Sequence, residues 1–165
     1  MKKLCRLIEY LNQEQLVLAT AESCTAGEVI ATLAREGNCG ACVFIGYTVY
    51  HEEAKIKQLG VSKQTIEQYS LTSEEVAKEM AYGAFAHEEI NITIATTGIM
   101  GQECMDGIPP GTVCFAWGFK NPQQIKLYSE TKTFKGSAAK RTAKASDYAL
   151  SQILKYHQLF LKESF

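Results

Sequence analysis

Ser23, Tyr50 and Lys55 are the residues of this 165-residue chain whose side chains could together form and break a covalent bond. A lysine that is partly buried near a serine can lose its proton, because burial disfavours the charged ammonium, and can then act as a base. A serine beside such a base is an activated nucleophile, and a tyrosine can assist it. The alternative is an exposed Lys55 that lies next to Glu52 on a charged helix.

Ser23, Thr25 and Gly27 fall between a strand predicted at 16–22 and a helix predicted at 25–35. The apolar run before them and the helical spacing of the apolar residues after them indicate a strand-to-helix corner. The first N–H groups of a helix lack partners within the helix and carry the positive end of its dipole. The corner could therefore bind a phosphate or stabilise an oxyanion. Ser23 or Thr25 could instead cap the helix, which is the commoner use of these residue types.

Thr97, Gly98 and Gly101 follow a predicted buried strand and form a second candidate for anion binding. Backbone N–H groups in such a loop can form a nest around an anion, although a tight turn would use the same residues. Ligands of open α/β sheets usually bind beyond the carboxyl ends of the strands. We therefore expect this loop to lie close to Ser23 and Lys55.

The order of the predicted elements indicates a single α/β domain over residues 1–165, with three layers and a mixed β-sheet covered by helices on both faces. The first two strands should be parallel because a helix connects them, and the last two should form an antiparallel hairpin. The later strands are predicted at 42–50, 92–96, 112–119 and 124–134. The further helices are predicted at 2–14, from His51 to Gly60, from Ser62, from Thr72 or Ser73 to about His87, and from Ser137 to Leu161. The last helix is expected to bury Ala145, Tyr148, Ala149, Ile153 and Leu154.

Composition excludes several classes of function. The net charge is −1 and no run of Lys and Arg stands out, so no nucleic-acid partner is expected. No stretch resembles a signal peptide or a membrane span, so we expect a cytoplasmic protein whose six cysteines are reduced. Cys39 and Cys42 have the spacing of a redox motif but precede a strand, which predicts inert thiols. The histidines are scattered and no second cysteine pair occurs, so no metal site is expected.

Segments in chain order over nearly the whole sequence carry a family resemblance. They are Ala-Glu-Ser-Cys-Thr-Ala-Gly at 21–27, Gly-Tyr-Thr-Val-Tyr-His-Glu-Glu-Ala-Lys at 46–55, Leu-Gly-Val at 59–61, Ser-Glu-Glu-Val-Ala-Lys-Glu-Met-Ala at 73–81, Thr-Gly-Ile-Met-Gly at 97–101 and Gly-Thr-Val at 111–113. Together they resemble the CinA C-terminal domain family, whose stand-alone members include nicotinamide-nucleotide amidases of the PncC type.

The resemblance implies hydrolysis of the carboxamide of nicotinamide mononucleotide to nicotinic acid mononucleotide and ammonia. By the same resemblance Ser23 is the nucleophile, Lys55 its base, and Tyr50 a positioning or proton-relay group. Thr25, Gly27, Thr97, Gly98 and Gly101 would then line the substrate site. The resemblance further implies a small-molecule nucleotide substrate, no metal or organic cofactor, and a homo-oligomer.

The chain departs from the family pattern on the side that would hold the phosphate. The family's Gly-Asp-Arg before the last helix is Gly-Ser-Ala at 136–138, and its following arginine falls at Thr142, with Arg141 one residue out of register. Because arginines are natural partners of phosphate, Arg141, Lys135 or Lys140 is the expected substitute. Two alternatives remain: a non-catalytic homologue that binds a nucleotide or a competence-related protein, and a serine amidase for another small amide.

Overall fold

A computed structural model describes residues 2–164 as five strands and seven helices. The strands are β1 (Leu18–Glu22), β2 (Val43–Thr48), β3 (Ile92–Gly98), β4 (Thr112–Lys120) and β5 (Ile125–Thr133). The helices are α1 (Lys2–Gln13), α2 (Glu28–Glu36), α3 (Glu52–Leu59), α4 (Lys63–Tyr69), α5 (Glu74–Gly83), α6 (Ala138–Ser151) and α7 (Ile153–Glu163). The strands form one sheet in the order β2-β1-β3-β4-β5. β1 is parallel to both of its neighbours, and β4 is antiparallel to both β3 and β5.

The two faces of the sheet carry separate apolar cores, because side chains alternate across a strand. One core packs large side chains of β4, such as Phe115 and Trp117, against α1, α2, α6 and α7. The other packs small side chains such as Ala21 and Ala95 against α3, α4 and α5. The prediction of a three-layer α/β fold with a mixed sheet is therefore confirmed, as are the parallel first strands and the final hairpin.

Local capping signals set the ends of the helices that lead to the site. The Oγ atom of Ser73 accepts a hydrogen bond from the N–H of Val76 at 3.2 Å, so Ser73 and not Thr72 is the N-cap residue of α5. Gly60 ends α3 in the left-handed conformation, with φ of 68°, where a glycine carries no steric cost.

Three predictions about the helices are wrong: the continuity of the last helix, the burial of Leu154 and the end of α5. The last helix is interrupted at Gln152, where the Ser151 hydroxyl donates to the Tyr148 carbonyl and competes with the backbone for it. Leu154 follows the interruption and is 39% exposed, so it lies outside the core. The fifth helix ends at Gly83 rather than near His87, because glycine lowers helix propensity and turn hydrogen bonds replace the helical ones beyond it.

Substitution of Gly83 tests the packing of α5 against the end of α3. A Cβ atom on Gly83 would lie 1.9 Å from the carbonyl oxygen of Leu59, so one backbone must move. We expect Gly83→Ala to lower the free energy of unfolding by about 1–3 kcal/mol in urea denaturation, as overpacked sites do. Gly40→Ala is the matched control, because nothing lies within 4 Å of its Cβ position. Equal stability of the two variants would contradict this contact.

Candidate active site

The carboxyl ends of the three parallel strands meet at one edge of the sheet. The N–H of Ser23, just after β1, donates to the carbonyl of Thr96 in β3 at 2.9 Å. The N–H of Val49, just after β2, donates to the carbonyl of Glu22 at 2.9 Å. The chain leaves β1 for β2 on one side and later returns to β3 on the other, with α2 and α3–α5 on opposite faces. This is the switch point at which open α/β sheets form a ligand crevice, and the expected convergence of the three segments is found there.

Ser23 lies at this crevice with a free hydroxyl. The residue is 8% exposed, and within residues 2–164 its Oγ atom makes no hydrogen bond. It does not cap α2, whose N-cap position is occupied by Gly27. The hydroxyl is therefore available to a substrate.

Glu22 caps α2 instead, through a turn that the sequence pattern did not reveal. Its buried carboxylate accepts hydrogen bonds from the hydroxyl of Thr25 at 2.6 Å and from the N–H groups of Gly27, Val29 and Ile30 at 3.0–3.1 Å. The capping alternative is consequently wrong for Ser23 and Thr25. It also follows that the N–H of Gly27 and the hydroxyl of Thr25, both expected to contact substrate, are already engaged within the protein.

Two N–H groups of the corner remain free. Ala26 and Gly27 have positive φ values of 49° and 93°, which fold the chain sharply between β1 and α2. Along the corner of the described chain, acceptors are present for the N–H groups of Ser23, Ala26, Gly27, Glu28, Val29 and Ile30. The N–H groups of Cys24 and Thr25 have none. They are thus the donors that an oxyanion next to Ser23 could use.

Lys55 is buried, which contradicts the alternative of an exposed lysine. It is 2% exposed, and its Nζ atom donates to the carbonyl oxygens of Val49 at 3.0 Å and Tyr50 at 3.2 Å. Burial lowers the pKa of Lys55, and the negative charge of the nearby Glu52 opposes this shift only in part. No ion pair of Lys55 with a carboxylate is found in the described part of the chain. Because the N–H of Val49 is bonded to Glu22 and the carbonyl of Val49 is bonded to Lys55, the amine lies near the corner that carries Ser23.

Cys24 is an unsuitable nucleophile despite its place next to Ser23. Burial raises the pKa of its thiol to about 12, so the thiol stays protonated near neutral pH. Since the thiolate is the reactive form, this environment favours the serine.

Tyr50 contributes to the site through its backbone. Its carbonyl binds Lys55, whereas its side chain is 73% exposed and its hydroxyl has no hydrogen bond to residues 2–164. The structure therefore brings Ser23 and Lys55 to one crevice but leaves the Tyr50 ring at its rim.

The loop after β3 is fixed by contacts within the protein. The Thr97 hydroxyl donates to the carbonyl of Leu71 at 2.8 Å, so it is not free for a ligand. Gly98 lies against β4, where a Cβ atom would come within 2.4 Å of the Thr112 carbonyl oxygen. The N–H of Ile99 is also engaged, with the same carbonyl at 2.9 Å. The Thr97 hydroxyl and the Ile99 N–H are therefore not available to an anion, and the expected binding site is reduced to the residues around Gly101.

Arg141 holds this loop rather than facing solvent. It is 7% exposed, and one guanidinium nitrogen donates to the carbonyl oxygens of Met100 and Gly101. Its Nε atom is buried without a partner among residues 2–164. The guanidinium is thus committed in part to loop carbonyls, which differs from the free phosphate partner that was expected.

Two cavities have Ile108 in their walls, and neither is lined by Ser23 or Lys55. One, of about 560 Å³, has the carboxylates of Glu52, Glu67 and Asp106 in its wall. The other, of about 410 Å³, has those of Glu74 and Glu75. The residues that line these two cavities include no Lys, Arg or His.

Residues 2–164 bring no three His, Cys, Asp or Glu side chains together in a way that could hold a metal ion. All six cysteines are free thiols. None of the helices described is long and apolar enough to cross a membrane.

A family model described as the CinA C-terminal domain matches residues 2–157. The chain belongs to this family. It is 39% identical over 149 residues to Protein YdeJ of Escherichia coli K12, a match that covers 90% of this chain and 84% of YdeJ. It is 34% identical to a CinA-like protein of Chlorobium limicola, but spans only 35% of that protein's length. A solved structure of a competence or damage-inducible protein from Enterobacter asburiae is 33% identical, with a TM-score of 0.86 over 93% of this chain and 94% of that one.

The burial of Lys55 predicts a pH-dependent difference in stability. Between the lowered pKa of folded Lys55 and the ordinary value of about 10.4, the unfolded chain binds more protons than the folded chain, so stability rises with pH. Lys55→Met lacks this contribution. We expect its free energy of unfolding, relative to that of the unmodified protein, to fall as the pH rises from about 7 toward the ordinary pKa of about 10.4 in urea titrations. Lys57→Met, on the exposed side of α3, should show a constant difference. A constant difference for Lys55→Met would contradict the lowered pKa.

Proposed function

We propose that this CinA-family chain is a serine amidase that hydrolyses the carboxamide of nicotinamide mononucleotide to nicotinic acid mononucleotide and ammonia. The observation that carries the proposal is the buried Lys55 amine, which has a lowered pKa and binds the carbonyl of Val49, a residue whose N–H is bonded to Glu22 next to Ser23. A neutral amine has two N–H groups and one lone pair. Since the carbonyls of Val49 and Tyr50 accept the two N–H groups, the lone pair is left to take a proton.

The reaction follows from these groups. Ser23 Oγ attacks the amide carbon while its proton passes to the Lys55 amine, and the N–H groups of Cys24 and Thr25 bind the oxyanion. The C–N bond then breaks, and the Lys55 ammonium gives its proton to the departing nitrogen, which leaves as ammonia. Water attacks the resulting ester on Ser23, with Lys55 again as base, and the acid is released as Ser23 regains its proton. Tyr50, exposed at the rim, would contact the substrate rather than the lysine.

A second candidate is an amidase for a pyridinium amide without a phosphate, such as nicotinamide riboside. Arg141 favours it, because its guanidinium is bound to the carbonyls of Met100 and Gly101. The carboxylates that line the two cavities also favour it, since they repel a phosphate.

Ammonia release from the mononucleotide and from the riboside tests both candidates. We expect Ser23→Ala to lower turnover at least about 1,000-fold, because it removes the nucleophile. Lys55→Ala should lower it about 100- to 1,000-fold, as the loss of a general base does. Lys57→Ala is the matched control on the same helix and should keep full turnover.

The pattern of release separates the possibilities. Release from the mononucleotide alone supports the first candidate, and release from the riboside alone supports the second. Full activity of Ser23→Ala would contradict the mechanism for either substrate. A folded protein that is silent on both amides would instead favour a non-catalytic homologue.

A further inference from the structure

Glu22 is a fully buried ionisable residue that the proposed reaction does not use. It is 0% exposed, and no ion pair with Lys or Arg is found for it in the described chain. A buried carboxylate is costly unless hydrogen bonds satisfy it. Here four donors do so, three at Oε2 and one at Oε1. This complete set of donors surrounds a carboxylate one residue before the proposed nucleophile, so an effect of Glu22 on Ser23 is expected.

The direction of these hydrogen bonds is fixed by chemistry. A carboxylate only accepts, so the single proton of the Thr25 hydroxyl goes to Glu22. The Thr96 hydroxyl, 2.7 Å from that of Thr25, must then be the donor of the pair. The result is a series of two hydrogen bonds that runs from Thr96 in β3 through Thr25 to Glu22 in β1. It ties the start of α2 to the two strands that hold Ser23.

We propose that Glu22 is a positioning residue for Ser23, a role that rests on the proposed function. Its bonds to Gly27 and Val29 hold the sharp turn in which Ala26 has a positive φ, a conformation uncommon for a residue other than glycine. The turn fixes the hydroxyl of Ser23 relative to the free N–H groups of Cys24 and Thr25.

The same carboxylate determines where a substrate anion can bind. By occupying the N-terminus of α2, Glu22 neutralises the dipole there and engages the N–H groups that a phosphate would use. The oxyanion of the reaction is left with the two N–H groups nearest Ser23. Glu22 thus keeps the phosphate of a substrate away from the N-terminus of α2, while the oxyanion that forms at the amide carbon binds next to Ser23.

Chemical rescue of Glu22→Ala by formate tests the proposal, because formate can refill the space and accept the orphaned N–H groups. We expect Glu22→Ala to lower kcat about 100-fold with little change in KM, which is the effect of a small displacement of reacting groups. Formate, but not chloride at equal ionic strength, should restore most of kcat. Glu28→Ala is the matched control in the first turn of α2, since the Glu28 carboxylate pairs with Arg35 of the same helix, and formate should not change its rate.

Glu22→Gln serves if the alanine variant does not fold. The amide oxygen of the glutamine can replace Oε2, but its NH₂ group would then face the N–H of Ile30 and could not accept from it. We therefore expect a folded protein with kcat about 10-fold lower, the equivalent of one lost hydrogen bond. Unchanged kcat in Glu22→Gln would overturn the proposal. So would a loss in Glu22→Ala that formate does not reverse.

Labelling of Ser23 by a fluorophosphonate distinguishes this proposal from the proposed substrate, because it needs no amide. If the unmodified protein is labelled but releases no ammonia, the labelling rates of the Glu22 variants test the positioning role. Slower labelling of Glu22→Ala, restored by formate, supports it. Labelling of the variants at the same rate as the unmodified protein overturns it. If folded, unmodified protein is never labelled, Ser23 is not an activated nucleophile and both proposals fail.

Discussion

The parallel pairing of β1 with both β2 and β3 is the constraint on which the site depends. It brings three strand ends to one edge, and the backbone bonds from Ser23 to Thr96 and from Val49 to Glu22 extend the pairing just past the strands. The serine and the carbonyls that bind Lys55 are therefore placed by the sheet itself. A shift in register would move Ser23 away from the segment that holds Lys55, and a shift by one residue would also exchange the two faces of the strand.

Within that frame, two buried ionisable groups oppose each other in their effect on stability. Glu22 is satisfied by four donors and strengthens the corner that it caps. Lys55 has only two carbonyl partners, so its charged form is disfavoured by burial and its pKa falls. Such a residue lowers the stability of the fold at pH values below its ordinary pKa, where the unfolded chain binds more protons than the folded chain.

Much of this arrangement was predictable from the sequence, because it rests on local signals. Apolar periodicity and turn residues predicted the layers and the parallel strands. The residues at the strand ends predicted the edge of the sheet at which the segments that carry Ser23 and Lys55 converge. Glu22 was missed because a helix cap is ordinarily a Ser, Thr, Asp or Asn directly before the helix. Glu22 reaches the N–H groups across a turn with two positive φ angles, and a charged residue that ends a buried strand was the one signal available. The position of Arg141 was also unpredictable, since its contacts with Met100 and Gly101 lie about 40 residues away.

The proposed reaction requires that Ser23 attacks the amide and carries the acyl group. This step can be observed by acid quenching during turnover, followed by digestion and mass spectrometry of the peptide that contains Ser23. We expect an adduct on Ser23 with the mass of the substrate less ammonia, which disappears when the substrate is exhausted. Sustained turnover without that adduct, or an adduct on Cys24 in its place, would contradict the proposed reaction.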